Sequence, residues 1–189
     1  MGDLIDRDGF RANVGMVLMS DDGQLFLARR AGGRGWQFPQ GGMRSGESVE
    51  DSLYRELNEE IGLAAADVQI VGRTRHWLRY RLPGRYLRRN VQPLCLGQKQ
   101  RWFLLRLRRP DAAFRFDMTA EPEFDRWRWV DYWQPIREVI YFKRAVYTRA
   151  LHELGESAFP GGLPPYPSWW RTRTAPDEPA GAEATQSRS

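Results

Sequence analysis

The chain has 189 residues, enough for one domain with a full-sized hydrophobic core and at most a very small second one. With 41% hydrophobic residues, 28% charged residues and eight tryptophans, the composition excludes a chain that is disordered throughout. The single cysteine, Cys95, excludes an internal disulfide and predicts a reducing, cytoplasmic compartment. No run approaches the roughly 20 apolar residues of a membrane span, so we expect no membrane partner.

The formal net charge is +5, and the basic excess lies before Gly155. A basic folded body favours an anionic partner such as a nucleotide or a nucleic acid. A basic surface that only confers solubility explains the charge equally well. The net charge therefore suggests an anionic partner but does not distinguish it from a surface that is basic only for solubility.

Residues 14–19 and 24–29 are two apolar runs that predict a β-hairpin, because an Asp-Gly pair, Asp22-Gly23, stands in the turn between them. A glycine-rich stretch follows. Ser48 then precedes acidic residues, as is typical of a helix N-cap, and predicts a helix over Val49–Ile61 that ends at Gly62.

The remaining elements predict a mixed architecture. Residues 68–78, 101–108 and 126–130 suit strands, and residues 142–154 suit a second amphipathic helix. Since strands and helices do not alternate regularly, we expect an α+β fold, an α/β/α sandwich with a mixed β-sheet. From residue 155 to 189 the chain is rich in Pro, Gly and Ser, which predicts a disordered tail, although Trp169-Trp170 could dock it.

The predicted helix places three glutamates on one face. At about 100° per residue, Glu59 and Glu60 lie within roughly 60° of Glu56, and the apolar stripe runs beside them. An ordinary solvated face would place like charges away from the core, whereas a divalent cation relieves their repulsion. Carboxylates are ligands that Mg²⁺ or Mn²⁺ prefers, and the sequence does not separate these two ions.

Residues 41–63 resemble the signature box of the Nudix hydrolase family. The matching positions are Gly41, Glu47, Arg55, Glu56, Leu57, Glu59, Glu60, Gly62 and Leu63. The resemblance implies a Nudix domain over about residues 6–154, with a metal-dependent hydrolysis of a phosphoanhydride bond. Water attacks phosphorus in that reaction, and a carboxylate accepts its proton.

The resemblance also implies roles for individual residues. The expected metal ligands are Glu56, Glu59, Glu60, Gly41 and Glu123. Arg55 is expected to orient a carboxylate, and Glu56 is the first choice for the general base, with Glu123 the second. Glu47 could equally reach the metal cluster or cap the helix.

Sequences flanking the box resemble the bacterial branch of the family that converts the 5'-triphosphate of a transcript to a monophosphate. The similar stretches include residues 10–15, 36–42, 77–80, 97–103, 122–125 and 142–144. By this resemblance Arg30 and Phe142 lie around a base, Arg11 and Lys143 lie near phosphate, and Tyr80 offers a ring for stacking. Seven arginines between Arg73 and Arg89 could hold the backbone of a single-stranded RNA 5' end.

Two other functions stay open at this point. The same branch of the family contains hydrolases of dinucleoside polyphosphates such as diadenosine tetraphosphate, so small nucleotides are alternative substrates. A noncatalytic nucleotide-binding or RNA-binding module could share the fold, although it would have no need of three crowded glutamates. Whether a protein partner stimulates the enzyme cannot be read from the sequence.

Overall fold

A computed structural model describes residues 4–33, 35–90, 92–109 and 112–170. The strands are β1 (Phe10–Met19), β2 (Leu25–Arg30), β3 (Trp36–Gln37), β4 (Gln40–Gly42), β5 (Val68–Arg73), β6 (Leu78–Arg81), β7 (Gly97–Leu107) and β8 (Phe124–Val130). The helices are α1 (Val49–Ile61), α2 (Gln134–Glu138) and α3 (Arg144–Ala158). Across the described ranges, no helix is both long and apolar enough to cross a membrane.

Strand β1 is central to the sheet. It pairs in parallel with β7 along its whole length, from Phe10 opposite Gly97 to Met19 opposite Arg106. It also pairs antiparallel with β2 and with β4, and the neighbouring strands follow the order β3-β2-β1-β7-β5. The predicted mixed sheet is therefore confirmed.

Side chains of β1 alternate between two hydrophobic cores. Val14 and Met16 face the core that contains Leu57 of α1, whereas Val17 faces the core that contains Leu151 of α3. Because both faces of β1 are covered, its sequence is almost continuously apolar. The α/β/α sandwich predicted from the sequence is the observed architecture.

Helix α1 has the predicted bounds. Ser48 and Asp51 form a reciprocal capping box at its start, which satisfies two backbone N–H groups. At its end Gly62 has φ 74°, a left-handed conformation that glycine adopts without strain. Local chemistry at both ends thus sets the length of the helix that carries the three glutamates.

The prediction of one strand over residues 68–78 is wrong. The chain forms β5 and β6 there, and both pair with β7. Between them, the buried Thr74 accepts the Trp102 N–H on its Oγ1 and donates its own N–H to the Trp102 carbonyl. The interruption of the strand at Thr74 leaves no mark in the hydrophobic pattern of the sequence, so the pattern did not predict it.

The expectation of a disordered tail from residue 155 is wrong for residues 155–170. Helix α3 continues to Ala158, and Trp169 and Trp170 pack against the core on the α3 side. Trp133 donates its indole N–H to the Pro164 carbonyl at 2.9 Å, which ties the segment down. The remainder of the predicted tail, residues 171–189, lies outside the described residues.

Candidate active site

A cleft of about 780 Å³ lies between the β4–α1 region and the segment that joins α2 to α3. Gly41, Glu56 and Glu60 form its acidic end. Basic and aromatic side chains line the rest of the cleft, some of them buried and some exposed. They include Arg30, Trp36, Tyr80, Tyr86, Arg88, Phe142 and Lys143.

Glu56 is packed directly against the backbone of Gly41. A Cβ atom built on Gly41 would lie 1.9 Å from the Glu56 Cδ and 2.0 Å from its Oε2, so a side chain at position 41 would displace the carboxylate. Glu56 is buried, and its removal from water raises the pKa of the carboxyl, although the Arg55 hydrogen bond opposes this shift. A raised pKa makes this carboxylate a better proton acceptor than an ordinary solvated glutamate.

Arg55 is the hub of the acidic end. Its Nε and Nη2 donate to the two carboxylate oxygens of Glu47 at 2.6 and 2.8 Å. Its Nη1 donates to Glu56 at 2.6 Å and to Glu59 at 3.2 Å, and Nη2 also reaches the Gly42 carbonyl at 2.9 Å. One guanidinium therefore holds three carboxylates and the glycine loop in a fixed arrangement.

Glu47 does not cap α1, because Ser48 and Asp51 form its capping box, and its role at a metal stays a prediction. Glu47 pairs with Arg55 and accepts hydrogen bonds from the Ser52 hydroxyl and the Arg44 N–H. The Arg55 hydrogen bond, as the largest cause, lowers the pKa of Glu47 to about 2. Glu47 therefore stays ionised and serves to anchor Arg55.

Glu60 lies between the helix and the glycine loop. Its Oε2 accepts the backbone N–H of Gln40 at 2.8 Å. Removal from water raises the pKa of Glu60 well above its ordinary value, and the negative charges of Glu56 and Glu123 raise it further. The carboxylates of Glu56, Glu60 and Glu123 thus form a repulsive group on one cleft wall.

Glu59 and Glu123 are more exposed and are paired with arginines. Glu59 contacts Arg44 at 3.1 Å, and its side chain is 33% exposed. Glu123 contacts Arg30 at 3.0 Å and lines the cleft. Both carboxylates are therefore held by counter-charges, but Glu59, unlike Glu123, is not among the described residues that line the cleft.

No group of three or more His, Cys, Asp or Glu side chains in the described part of the chain is already arranged as a metal cluster. The donor types nevertheless fit a hard divalent cation, since Glu56, Glu60 and Glu123 bring carboxylate oxygens to the same cleft as the Gly41 backbone. Their mutual repulsion raises the pKa of Glu60, and a cation would relieve it.

Lys143 is buried rather than solvated. Its Nζ donates to the side-chain carbonyl oxygens of Gln37 at 3.2 Å and Gln40 at 3.1 Å. Burial lowers the pKa of Lys143 to about 8, with the positive charge of Arg30 as a second cause. The two glutamines therefore replace water as hydrogen-bond partners of the Lys143 ammonium.

The aromatic residues predicted to bind substrate lie together in the cleft. Phe142 is partly exposed, and its ring centroid is 5.8 Å from that of Tyr80. Tyr80 is buried and donates its hydroxyl to Gln98 at 2.7 Å. Arg30 lines the same cleft.

Arg11 also lines the cleft, beside the glycine loop. A Cβ atom on Gly42 would come within 2.2 Å of the Arg11 Nη2. The second glycine of the Gly41-Gly42 pair thus makes space for the arginine, as the first does for Glu56. A side chain at either position would displace one of these two charged groups from its place in the cleft.

Sequence reasoning did not single out several glutamines that organise the cleft. Gln37 and Gln40 hold Lys143, and Gln98 holds Tyr80. Gln100 donates to the buried Asn13 at 2.7 Å. These residues lie within stretches that carried the resemblance, but glutamine is common in loops and strand edges, so only the tertiary contacts mark them.

Comparison with known proteins identifies the family. The NUDIX domain model matches residues 9–163, so the chain belongs to the Nudix family, whose hydrolases generally need divalent metals. The chain is 56% identical over 170 residues to a protein of Alkalilimnicola ehrlichii named RNA pyrophosphohydrolase, covering 90% of this chain and 94% of that one. It is 59% identical over 151 residues to an RNA pyrophosphohydrolase of Pseudomonas aeruginosa, with 80% and 95% covered.

Solved structures agree on the fold. An Ap4A hydrolase of C. elegans aligns with a TM-score of 0.58 at 20% identity, covering 80% of this chain and 98% of that one. The dihydroneopterin triphosphate pyrophosphohydrolase of E. coli also aligns at 0.58, with 16% identity and 73% and 92% covered. Identities this low show a shared fold and do not decide the substrate.

Proposed function

We propose that this chain removes pyrophosphate from the 5'-triphosphate end of RNA and leaves a 5'-monophosphate, which promotes transcript decay. The observation that carries the proposal is one cleft lined by the buried Glu56 and by Lys143, Arg30 and Phe142. The similarity to proteins named RNA pyrophosphohydrolase supports the same substrate. A transcript substrate and the single cysteine both fit a cytoplasmic location.

A divalent cation, Mg²⁺ or Mn²⁺, is part of the proposal. Glu56, Glu59, Glu60, Glu123 and the Gly41 carbonyl are the proposed ligands. When bound, the cation would stabilise the negative charge that develops on the phosphate oxygens. It would compete with Arg44 for Glu59 and with Arg30 for Glu123, because those ion pairs hold the two carboxylates.

Glu56 is the proposed proton acceptor for the attacking water. Its Oε1 accepts a hydrogen bond from Arg55, so Oε2, which lies against Gly41, is the oxygen left to take the proton. Arg55 fixes the orientation of the carboxylate without contacting substrate. Glu123 remains the second choice, since it lines the same cleft.

Substrate binding is assigned to the basic and aromatic residues. Lys143 and Arg11 are proposed to hold phosphate, and Arg30 and Phe142 to flank a base, with Tyr80 supporting the Phe142 ring. Two glutamines hold the buried Lys143 side chain, so its ammonium group is already positioned before the substrate binds.

Hydrolysis of a dinucleoside polyphosphate is the second candidate. Such a substrate calls for a second nucleoside pocket continuous with the first. A smaller cavity of about 370 Å³, lined by residues that include Ser48, Arg73 and Trp77, shares no residue with the cleft. That cavity is therefore not the continuous second pocket that a dinucleoside polyphosphate would need.

The test is a side-by-side hydrolysis assay with Mg²⁺ on a short 5'-triphosphate RNA and on diadenosine tetraphosphate. We expect a higher kcat/KM on the RNA, loss of activity with EDTA, and recovery on adding Mg²⁺ or Mn²⁺. A higher kcat/KM on diadenosine tetraphosphate would show that the substrate is a dinucleoside polyphosphate and not RNA. Absence of turnover on both would favour a noncatalytic binding module.

A further inference from the structure

Two exposed tyrosines stand at the outer rim of the cleft. Tyr86 is 40% exposed and lines the rim, and Tyr141 is 51% exposed beside it. Neither was used in the catalytic or binding assignments above. Large aromatic side chains left in water close to a binding cleft are candidates for contact with a ligand.

The two rings continue an aromatic series that begins inside the cleft. The buried Tyr80 packs on Phe142, whose ring centroid is 5.1 Å from Tyr86 and 5.5 Å from Tyr141. Exposure increases from Tyr80, at 7%, to the two rim tyrosines. The series therefore leads from the floor of the cleft to the surface.

An arginine joins the two tyrosines. The Arg85 guanidinium carbon lies 5.1 Å from the Tyr86 ring centroid and 5.5 Å from that of Tyr141, and Nη2 donates to the Tyr141 hydroxyl at 3.4 Å. Arg88 lines the cleft nearby. Rings interleaved with guanidinium groups have the composition of a surface that stacks bases and holds phosphates.

We propose that Tyr86, Tyr141 and Arg85, here called the tyrosine ledge, bind bases of single-stranded RNA downstream of the nucleotides held inside the cleft. The inference rests on the proposed function. Glu56 is buried whereas Tyr86 and Tyr141 are exposed, so a strand whose 5' phosphates reach Glu56 runs outward past the ledge. Stacking on the ledge is tolerant of sequence, since every base has a π face.

The ledge predicts that substrate length affects activity. A 5'-triphosphate dinucleotide ends within the cleft, whereas a strand of about eight nucleotides extends to a stacking platform outside it. We therefore expect the full chain with Mg²⁺ to have a higher kcat/KM on the longer RNA, mainly through a lower KM. The ratio of the two kcat/KM values measures the contribution of the ledge.

The variants Tyr141→Ala and Tyr86→Ala should each lower this ratio about tenfold, because the longer strand loses a ring on which a base stacks. Tyr141→Phe and Tyr86→Phe keep the ring and should retain the ratio. Tyr166→Ala is the matched control, because Tyr166 is 47% exposed but packs on Trp133 and Trp170 rather than on Phe142. Thermal unfolding of every variant checks that the fold is intact.

Loss of the length advantage in the alanine variants, with retention in the phenylalanine variants and in the control, supports the ledge. If the alanine variants keep the wild-type ratio, or if the wild type shows no length advantage, the ledge inference is overturned while the proposed function stands. If the wild type hydrolyses neither triphosphate RNA, the proposed function itself fails, and the ledge inference fails with it.

Discussion

The two ends of the cleft are built in different ways. At the acidic end Arg55 holds Glu47, Glu56 and Glu59 in ion pairs between 2.6 and 3.2 Å long. At the outer rim, Tyr86 and Tyr141 are exposed and contact mainly other rings and Arg85. The carboxylates of the acidic end are held by charged hydrogen bonds, whereas the rim rings are held mainly by ring and cation–π contacts.

This difference corresponds to the demands on each end. A carboxylate that accepts a proton must be fixed within hydrogen-bonding reach of the reacting atoms, and multiple contacts achieve this. Rings that receive different bases gain from freedom to adjust, and stacking requires no fixed donor or acceptor. We therefore expect substitutions at the acidic end to act on kcat and substitutions further out to act on KM.

The largest effect is expected for Glu56→Gln. The substitution removes the proposed proton acceptor while keeping the shape of the side chain, so kcat on triphosphate RNA should fall about a thousandfold. Glu50→Gln is the control on the same helix, because Glu50 is exposed and pairs only with the exposed Arg73 among its described contacts. Near-normal turnover in purified Glu56→Gln would remove Glu56 from the mechanism.

Arg55→Ala should have the next largest effect. It leaves Glu47 and Glu56 without their main counter-charge, so we expect kcat/KM to fall about a hundredfold and the free energy of unfolding to fall by roughly 2 kcal/mol. Arg55→Lys keeps the charge but lacks the planar guanidinium, so its kcat/KM and its free energy of unfolding should lie between those of the wild type and of Arg55→Ala. Unchanged activity in the alanine variant would contradict the hub role; steady-state kinetics and urea unfolding measure both quantities.

A pH dependence is expected at the basic part of the cleft. With its pKa lowered to about 8, Lys143 should lose its charge as pH rises through 8, and KM for triphosphate RNA should rise about tenfold. Lys143→Met should have a high KM at every pH and lack this inflection. A wild-type profile in the variant would show that Lys143 does not bind phosphate.

The same shift has a consequence for stability. Between pH 8 and about 10.4, the ordinary lysine value, the folded protein binds fewer protons at Lys143 than the unfolded chain does. The free energy of unfolding from this group therefore rises with pH across that window. Urea titrations of wild type and Lys143→Met at several pH values isolate the contribution as the difference between the two.

The smallest effect on activity is expected for Trp170→Ala. Trp170 packs on Trp133 and Tyr166, with ring centroids 5.3 and 5.0 Å away, but does not line the cleft. The free energy of unfolding should fall by roughly 1–2 kcal/mol while kcat and KM stay unchanged. A change in KM without a change in stability would mean that this segment reaches the substrate.

Prediction from sequence succeeded where structure is set locally. The bounds of α1 follow from the Ser48 cap and Gly62, both of which act within one helical turn. It failed at Thr74 and at Trp170, because a buried threonine that interrupts a strand and a tryptophan that docks on Trp133 depend on residues distant in the chain. The site shows the same division, since the glutamates were found from their spacing and the supporting glutamines were not.

The sequence by itself determined the helix that carries Glu56, Glu59 and Glu60 and the α/β/α sandwich, since periodicity and caps are local properties of the chain. Its resemblance to the Nudix box indicated the family. Only the tertiary structure decided which carboxylates line the cleft, that Lys143 is buried, and that an aromatic series leads to the rim. These properties depend on the packing of β4, β6 and the start of α3 around one space. A side chain's burial and charge environment arise from that packing, so they cannot be read from its own neighbours in sequence.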